Sequence, residues 1–219
     1  MIRIGQVGLG EKGTKICVPI VGTTEKEILD ATRVACHSEC DVVELRIDYF
    51  ERAHSIDAIF ELLMLIKPQL RGRGLLFTWR TKNEGGEKTI TSDAYFTMLE
   101  RLIPTGLVDA IDIELFFNQE RMVKTIEFAK MHNVTVVMSN HDFNGTPERG
   151  VIVNRLLQMK EFKADVPKIA VMPHTSGDVL TLLEATAEVR SLYPADPIIT
   201  MAMGPLGAIT RETGDVFGN

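Results

Sequence analysis

The chain has 219 residues, of which 45% are hydrophobic and 25% charged, with a formal net charge of −6. This length and composition predict a globular protein with a sizeable core, and the acidic balance argues against nucleic-acid or membrane-surface partners, which need a basic face. No apolar run approaches the roughly 18 residues of a membrane span, and the first residues lack the pattern of a signal peptide. We therefore expect a cytoplasmic protein.

A short β-hairpin followed by alternating strands and helices is the pattern of the chain. The opening RIGQVGLGEKG, residues 3–13, predicts the hairpin, with glycines at its turn. Short apolar runs bounded by turn residues predict seven strands, at 15–20, 41–47, 74–80, 108–115, 134–139, 167–172 and 197–202. The segments between them predict six helices, at 23–38, 55–69, 92–103, 118–133, 146–162 and 175–193.

Residues that commonly cap helices precede each helical pattern. The predicted caps are Thr23 or Thr24, Ser55, Ser92, Asn118, Thr146 and Thr175, and Thr146 is followed by Pro147 at the first helical position.

Strands that alternate with helices predict a parallel sheet, and seven such units at regular spacing predict an α/β fold of the (β/α)8 TIM-barrel type. The seventh strand is followed only by a short segment that ends at Asn219. We therefore expect a single barrel domain over 1–219 that is C-terminally incomplete, with an eighth βα unit of about 30 residues missing.

Three cysteines, Cys17, Cys36 and Cys40, form an odd set without CxxC spacing, which argues against a disulfide framework. Cys36 and Cys40 lie close enough to His37 to suggest a metal site, but further ligands at suitable spacing are missing. We interpret Cys36 and Cys40 as residues that pack against a sheet, since free cysteine is commonly buried.

Active sites of such barrels form at the C-terminal ends of the strands. Polar residues in or just after the runs are therefore the candidates, namely Glu44, Arg46, Arg80, Glu84, Asp112, Glu114, His141, Asp142, Lys168 and Arg211.

Lys168 lies inside an apolar strand, so it must reach water, pair with a carboxylate or lose its charge, and an uncharged lysine is a nucleophile. His141 follows the preceding strand, and Glu84 lies in a loop that contains two glycines. Lysine, histidine and glutamate together indicate a Schiff-base site with a general acid/base and an orienting carboxylate. The residues alone predict a Schiff-base barrel enzyme for a small anionic carbonyl compound.

Several alternatives remain open at this point. Glu44 and Arg46 alternate along one strand and could form an internal ion pair. Asp112 and Glu114 could support Lys168 or an arginine, or could hold a metal ion in a metal-dependent enolising barrel. Another class I Schiff-base lyase or aldolase, and an inactive truncated chain or a non-catalytic binding protein, are further possibilities.

Several motifs resemble those of the type I 3-dehydroquinate dehydratases, in the same order and at family spacing. They are ELRID (44–48), FTWRTKNEGGE (77–87), DIEL (112–115), VVMSNHDF (136–143), PKIAVMP (167–173), ITMAMGPLGAITR (199–211) and GDVFG (214–218). The resemblance implies a TIM barrel, and a homodimer that converts 3-dehydroquinate to 3-dehydroshikimate in the shikimate pathway without a metal or cofactor.

The resemblance also assigns roles to individual residues. The family's Schiff-base lysine falls on Lys168, its acid/base histidine on His141, and the carboxylate that supports the histidine on Glu84. Its substrate-binding residues fall on Glu44, Arg46, Arg80 and Arg211. One departure is Pro19, where many members carry a serine, and the family's serine and glutamine from the eighth unit lie beyond Asn219.

Overall fold

A computed structural model describes residues 1–10 and 13–219, and these form two units. The first unit comprises Met1–Leu9, Lys15–Ile113 and Phe117–Val136, and the other described residues form the second. Glu11 and Lys12, at the end of the predicted hairpin segment, lie outside the described residues. A single domain over 1–219 stays a prediction.

The chain begins with the predicted hairpin. Strand β1 (Ile2–Ile4) pairs antiparallel with β2 (Val7–Leu9), with Ile4 opposite Val7. Gly5 lies at the turn with φ of 61°, a value that glycine adopts without steric cost.

The first unit contains the parallel strands β3 (Cys17–Ile20), β4 (Val42–Arg46), β5 (Gly74–Thr78) and β6 (Ala110–Glu114). The last residue of β6, Glu114, belongs to the second unit. Neighbours in this sheet follow chain order. The helices are α1 (Glu25–His37), α2 (Ile56–Ile66), α3 (Ser92–Leu102) and α4 (Gln119–Met131). Parallel strands separated by helices confirm the predicted α/β class.

Side-chain caps begin these helices largely as predicted. Thr24 forms a capping box with Glu27, and Ser55 and Asn118 each accept a hydrogen bond from a backbone N–H of the first turn. The prediction of Ser92 as a cap is wrong: Thr91 accepts from the Ala94 N–H at 3.3 Å, and Ser92 is the first helical residue.

The second unit contains β7 (Thr135–Asp142), β8 (Val166–Val171) and β9 (Ile199–Ala202), again parallel and adjacent in chain order. The first two residues of β7 belong to the first unit. Its helices are α5 (Arg149–Glu161), α6 (Ser176–Leu192) and the short α7 (Ile209–Glu212) and α8 (Gly214–Phe217). A capping box of Thr175 and Asp178 begins α6, as the predicted cap requires.

Two predictions for this unit need correction. Strand β7 does not end at Ser139 but continues through His141 to Asp142. Helix α5 begins at Arg149, not after Thr146, because the Thr146 hydroxyl donates to the Met172 carbonyl at 3.2 Å and so holds the loop instead of capping the helix.

Among the described residues, no helix combines the length and the apolar composition that crossing a membrane requires. Cys36 and Cys40 are both buried, and the Cys40 thiol donates to the Ala35 carbonyl at 3.0 Å.

The hairpin packs on the first residue of β5, which leads to a test. A Cβ on Gly74 would lie 2.6 Å from both the carbonyl oxygen and Cγ2 of Ile4. We expect Gly74→Ala to lower the free energy of unfolding by about 1–3 kcal/mol through overpacking, measured by urea denaturation. Gly150→Ala is the control, because nothing lies within 4 Å of its added Cβ, and we expect it to be neutral or stabilising by up to about 1 kcal/mol. Equal losses in both variants would contradict this packing.

Candidate active site

In the first unit, the polar residues of β4 and β5 lie on one face of the sheet. Arg46 lies opposite Thr78 in the parallel register, and Glu44 shares its face two residues earlier. The Thr78 hydroxyl donates to Glu44 Oε1 at 2.9 Å, and Glu44 is buried. The alternation predicted from the sequence is therefore present.

Asp48, just after β4, is the carboxylate that binds Arg46. Arg46 donates to its two oxygens from Nε at 2.8 Å and from Nη2 at 2.9 Å, a bidentate arrangement. The hydrogen-bonded ion pair of Arg46 is therefore with Asp48, and the charge of Glu44 also acts on Arg46. Burial favours the neutral guanidinium, but the hydrogen bonds and charge of Asp48 outweigh it and raise the Arg46 pKa above its ordinary value.

Asp48 also accepts two backbone hydrogen bonds, from the N–H of Arg80 at 3.3 Å and of Glu87 at 3.1 Å. Its own carbonyl accepts from Lys88 Nζ at 2.8 Å. The carboxylate is fully buried. One side chain therefore fixes Arg46, the end of β5 and the loop that carries Glu84.

Arg80 lies between two buried carboxylates. Its Nη2 donates to Asp112 Oδ2 at 2.9 Å, and its Nη1 lies 3.5 Å from Glu84 Oε2. The Tyr95 hydroxyl donates to the Asp112 carbonyl at 2.8 Å. Of the roles left open for Asp112, the structure shows the support of an arginine.

The loop after Arg80 is a tight turn that presents Glu84. Gly85 has φ of 82°, and a Cβ on Gly86 would lie 1.8 Å from the Arg80 carbonyl oxygen. The Gly86 N–H donates to the Thr81 carbonyl at 2.8 Å. The two glycines are therefore needed for the turn, because any side chain at Gly86 would collide with backbone.

In the second unit, β7 and β8 bring Lys168 and His141 to one face. Lys168 pairs in register with Ser139, and Ala170 pairs with His141. Because side chains alternate along a strand, Lys168 and Ala170 share a face, and so does His141. Lys168 and His141 are on neighbouring strands and two residues apart in register, so their Cα atoms are roughly 8 Å apart, a distance that their side chains can span. Lys168 is 6% exposed, and His141 is half-buried.

Arg211, on α7, contacts the end of β9. Its Nη1 donates to the Ala202 carbonyl at 2.8 Å, and its Nη2 lies 3.6 Å from Met201 Sδ. Met201 pairs in register with Ala170 and so lies on the face that carries Lys168. Arg211 is otherwise exposed, and within residues 1–10 and 13–219 most of its five N–H donors have no acceptor.

Within residues 1–10 and 13–219, no group of three or more histidine, cysteine or acidic side chains is arranged to hold a metal ion. Glu114, the other acidic residue of the suggested metal pair, is buried in the second unit.

The role of Asp48 was not predicted from the sequence. Its signal was the two-residue spacing Glu44, Arg46, Asp48, which continues the alternation of β4 into the turn. Arg155 on α5, which binds Asn140 and Asp142, was not predicted either, because no local pattern marks that residue.

The family model for the type I 3-dehydroquinases matches residues 16–219. The chain belongs to this family. Its activity is the dehydration of 3-dehydroquinate in the shikimate pathway, a hydro-lyase reaction that leads toward the aromatic amino acids. The resemblance seen in the sequence motifs is confirmed.

Named relatives agree with this assignment. The 3-dehydroquinate dehydratase of Clostridium novyi is 44% identical over 218 residues, which span 100% of this chain and 86% of the relative. That of Bacillus subtilis is 41% identical over 219 residues, with the same coverage. A crystal structure of the type I enzyme from Clostridium difficile matches 99% of this chain and 86% of its own, with TM-score 0.96 and 43% identity. The similarity confirms the predicted barrel fold class.

The Asp48 contacts predict a large effect on stability. Asp48→Ala leaves a buried arginine without its carboxylate and two backbone N–H groups without an acceptor, so we expect a loss of about 3–5 kcal/mol in the free energy of unfolding. Asp30→Ala is the control, since Asp30 pairs with Arg33 at 2.8 Å on the exposed surface, and we expect it to cost less than about 1 kcal/mol. Chemical denaturation of both variants makes the measurement, and losses of similar size would refute the assigned role.

Proposed function

We propose that this chain dehydrates 3-dehydroquinate through an imine on Lys168, with His141 as the general acid and base. The observation that carries the proposal is the register of β7 and β8, which directs a buried lysine and a histidine to one face of a parallel sheet. A nucleophile with an acid/base group beside it is the arrangement that covalent catalysis requires.

In the first stage the uncharged amine of Lys168 attacks the substrate ketone. The carbinolamine loses water, and the carbonyl carbon becomes double-bonded to the lysine nitrogen. The imine draws electrons from the adjacent carbon, so the proton there becomes acidic.

In the second stage His141 removes that proton, and an enamine forms. The enamine electrons expel the hydroxyl group from the next carbon, and His141 returns its proton to that hydroxyl so that it leaves as water. Hydrolysis of the imine then releases 3-dehydroshikimate and restores Lys168. The substrate loses one water overall, and no electrons are exchanged with a cofactor.

The remaining roles follow from the family motifs and from donor chemistry. Arg211 binds the substrate carboxylate, since a guanidinium matches a carboxylate in a bidentate way. Arg46 binds a ring hydroxyl through Nη1, which makes no hydrogen bond within the described chain, whereas Nε and Nη2 are held by Asp48. Glu44 and Arg80 also bind the hydroxyls, and the resemblance gives Glu84 the role of the carboxylate that supports the acid/base histidine.

The Clostridium difficile structure supports covalent chemistry in this family, since that enzyme was solved with covalently modified comenic acid. We extend the covalent role to Lys168 in this chain. A homodimer and a cytoplasmic location remain predictions from the sequence and the resemblance.

The imine can be trapped directly. We expect 3-dehydroquinate and borohydride to add one reduced adduct to the parent chain, located on the peptide that contains Lys168, with or without chelator treatment. Lys168→Met should give no adduct and should lower kcat to less than about one thousandth of the parent value, as measured by intact mass and by absorbance of the conjugated product. Lys124→Ala is the control, because this lysine is exposed and pairs only with Glu120 among the described residues. Turnover by Lys168→Met at the parent rate would exclude the imine.

His141 can be tested separately from Lys168. We expect His141→Ala to form the trapped adduct in normal yield but to lower kcat by about 10²–10⁴-fold, because the proton transfer loses its base and acid. Steady-state kinetics and the same mass measurement distinguish the two stages. A near-parent kcat would assign proton transfer to another group.

A further inference from the structure

Arg155, on the middle of α5, binds the end of strand β7. Its Nη1 donates to Asn140 Oδ1 at 2.9 Å and to Asp142 Oδ2 at 3.3 Å. The guanidinium also lies over the ring of Phe116, 5.5 Å from its centroid. The side chain is 22% exposed, so this is a partly buried contact and not a loose surface pair.

The two acceptors are the residues on either side of His141. Because side chains alternate along a strand, Asn140 and Asp142 lie on the face opposite to His141. Nη1 of Arg155 therefore binds the residues before and after His141, on the face of the strand opposite to the imidazole. Holding residues 140 and 142 at a fixed separation also fixes the direction in which the residue between them projects.

This part of β7 needs such support because its pairing with β8 ends here. The register of β7 with β8 ends at Asp142 opposite Val171, and the chain then turns into a loop. Beyond the ladder, the Asp142 carbonyl accepts from the Met172 N–H at 3.0 Å, and Oδ1 accepts from the Asn144 N–H at 3.2 Å. Arg155 is the charged group that joins this strand end to the helix behind it.

We propose that Arg155 is a positioning residue for the dehydration, which holds His141 in the orientation that proton transfer requires. The proposal rests on the acid/base role given above to His141. A general base must lie within hydrogen-bond reach of the proton it removes, and a displacement of about 1 Å can cost 10²-fold in rate. Arg155 lies behind the strand, so its loss should slow proton transfer without weakening substrate binding or imine formation.

The first measurement compares Arg155→Gln with the parent chain. We expect kcat to fall by about 10- to 100-fold, KM to stay within about threefold, and the borohydride-trapped adduct on Lys168 to form in parent yield. Arg155→Lys keeps the charge but not the planar fork, and we expect it to recover part of kcat. Arg149→Gln is the control, since Arg149 is on the same helix and pairs with Glu188 at 3.4 Å and Glu184 at 3.9 Å on α6; we expect parent kinetics.

A second readout separates positioning from general loosening of the fold. With 3-dehydroquinate deuterated at the carbon that loses its proton, we expect a larger isotope effect on kcat in Arg155→Gln than in the parent, because proton removal has become slower. Three results would overturn the proposal. In Arg155→Gln, these are a loss of kcat with an unchanged isotope effect, or a rise in KM as large as the fall in kcat. The third is a fall in kcat of the same size in Arg149→Gln. Failure of the proposed function itself looks different: the parent would give no adduct, or His141→Ala would turn over normally.

Discussion

The burial of charged side chains is the constraint on which the rest of this structure depends. Asp48 and Asp112 are fully buried, and Arg80 is 2% exposed. Charges removed from water are tolerated only when they are paired and hydrogen-bonded, so these groups require β4, β5 and β6 to keep a single register. The apolar residues of the strands provide the driving force for the sheet, but the ionic groups at its end select one arrangement from those that would bury the same apolar area.

Because side chains alternate along a strand, its functional residues lie on one face and the residues that support them lie on the other. In β7, His141 projects to the face that also carries Lys168, whereas Asn140 and Asp142 project to the side of α5. Chemistry and support are therefore encoded in alternate residues of one short segment. The same division appears on β4 and β5, where Glu44, Arg46 and Thr78 share one face. A parallel sheet covered by helices suits this arrangement because each face has its own set of neighbours.

Apolar periodicity and capping chemistry are local signals, and they predicted the order of strands and helices, the hairpin, and caps such as Thr24 and Asn118. The sequence failed where tertiary contacts decide. The polar residues from Asn140 to Asp142 do not look like a strand, yet pairing with β8 extends β7 through them. Thr146 has the right chemistry for a cap, but its hydroxyl is engaged by a carbonyl of another segment. The candidate residues were found from their positions at strand ends, whereas the contact of Arg155 on α5 with Asn140 and Asp142 on β7 leaves no local signal in the sequence.

The turn at Gly86 has a consequence for how this sequence can diverge. Loops usually vary more in sequence than the elements they connect, but here the backbone at Gly86 passes so close to the Arg80 carbonyl that no side chain fits. Glu84 is buried, and Gly85 has a backbone conformation that other residues rarely adopt. Neutral drift in this loop is therefore confined to its exposed positions, Lys82, Asn83 and Glu87. Related sequences can therefore change the exposed side chains of this loop, but its backbone conformation must stay the same.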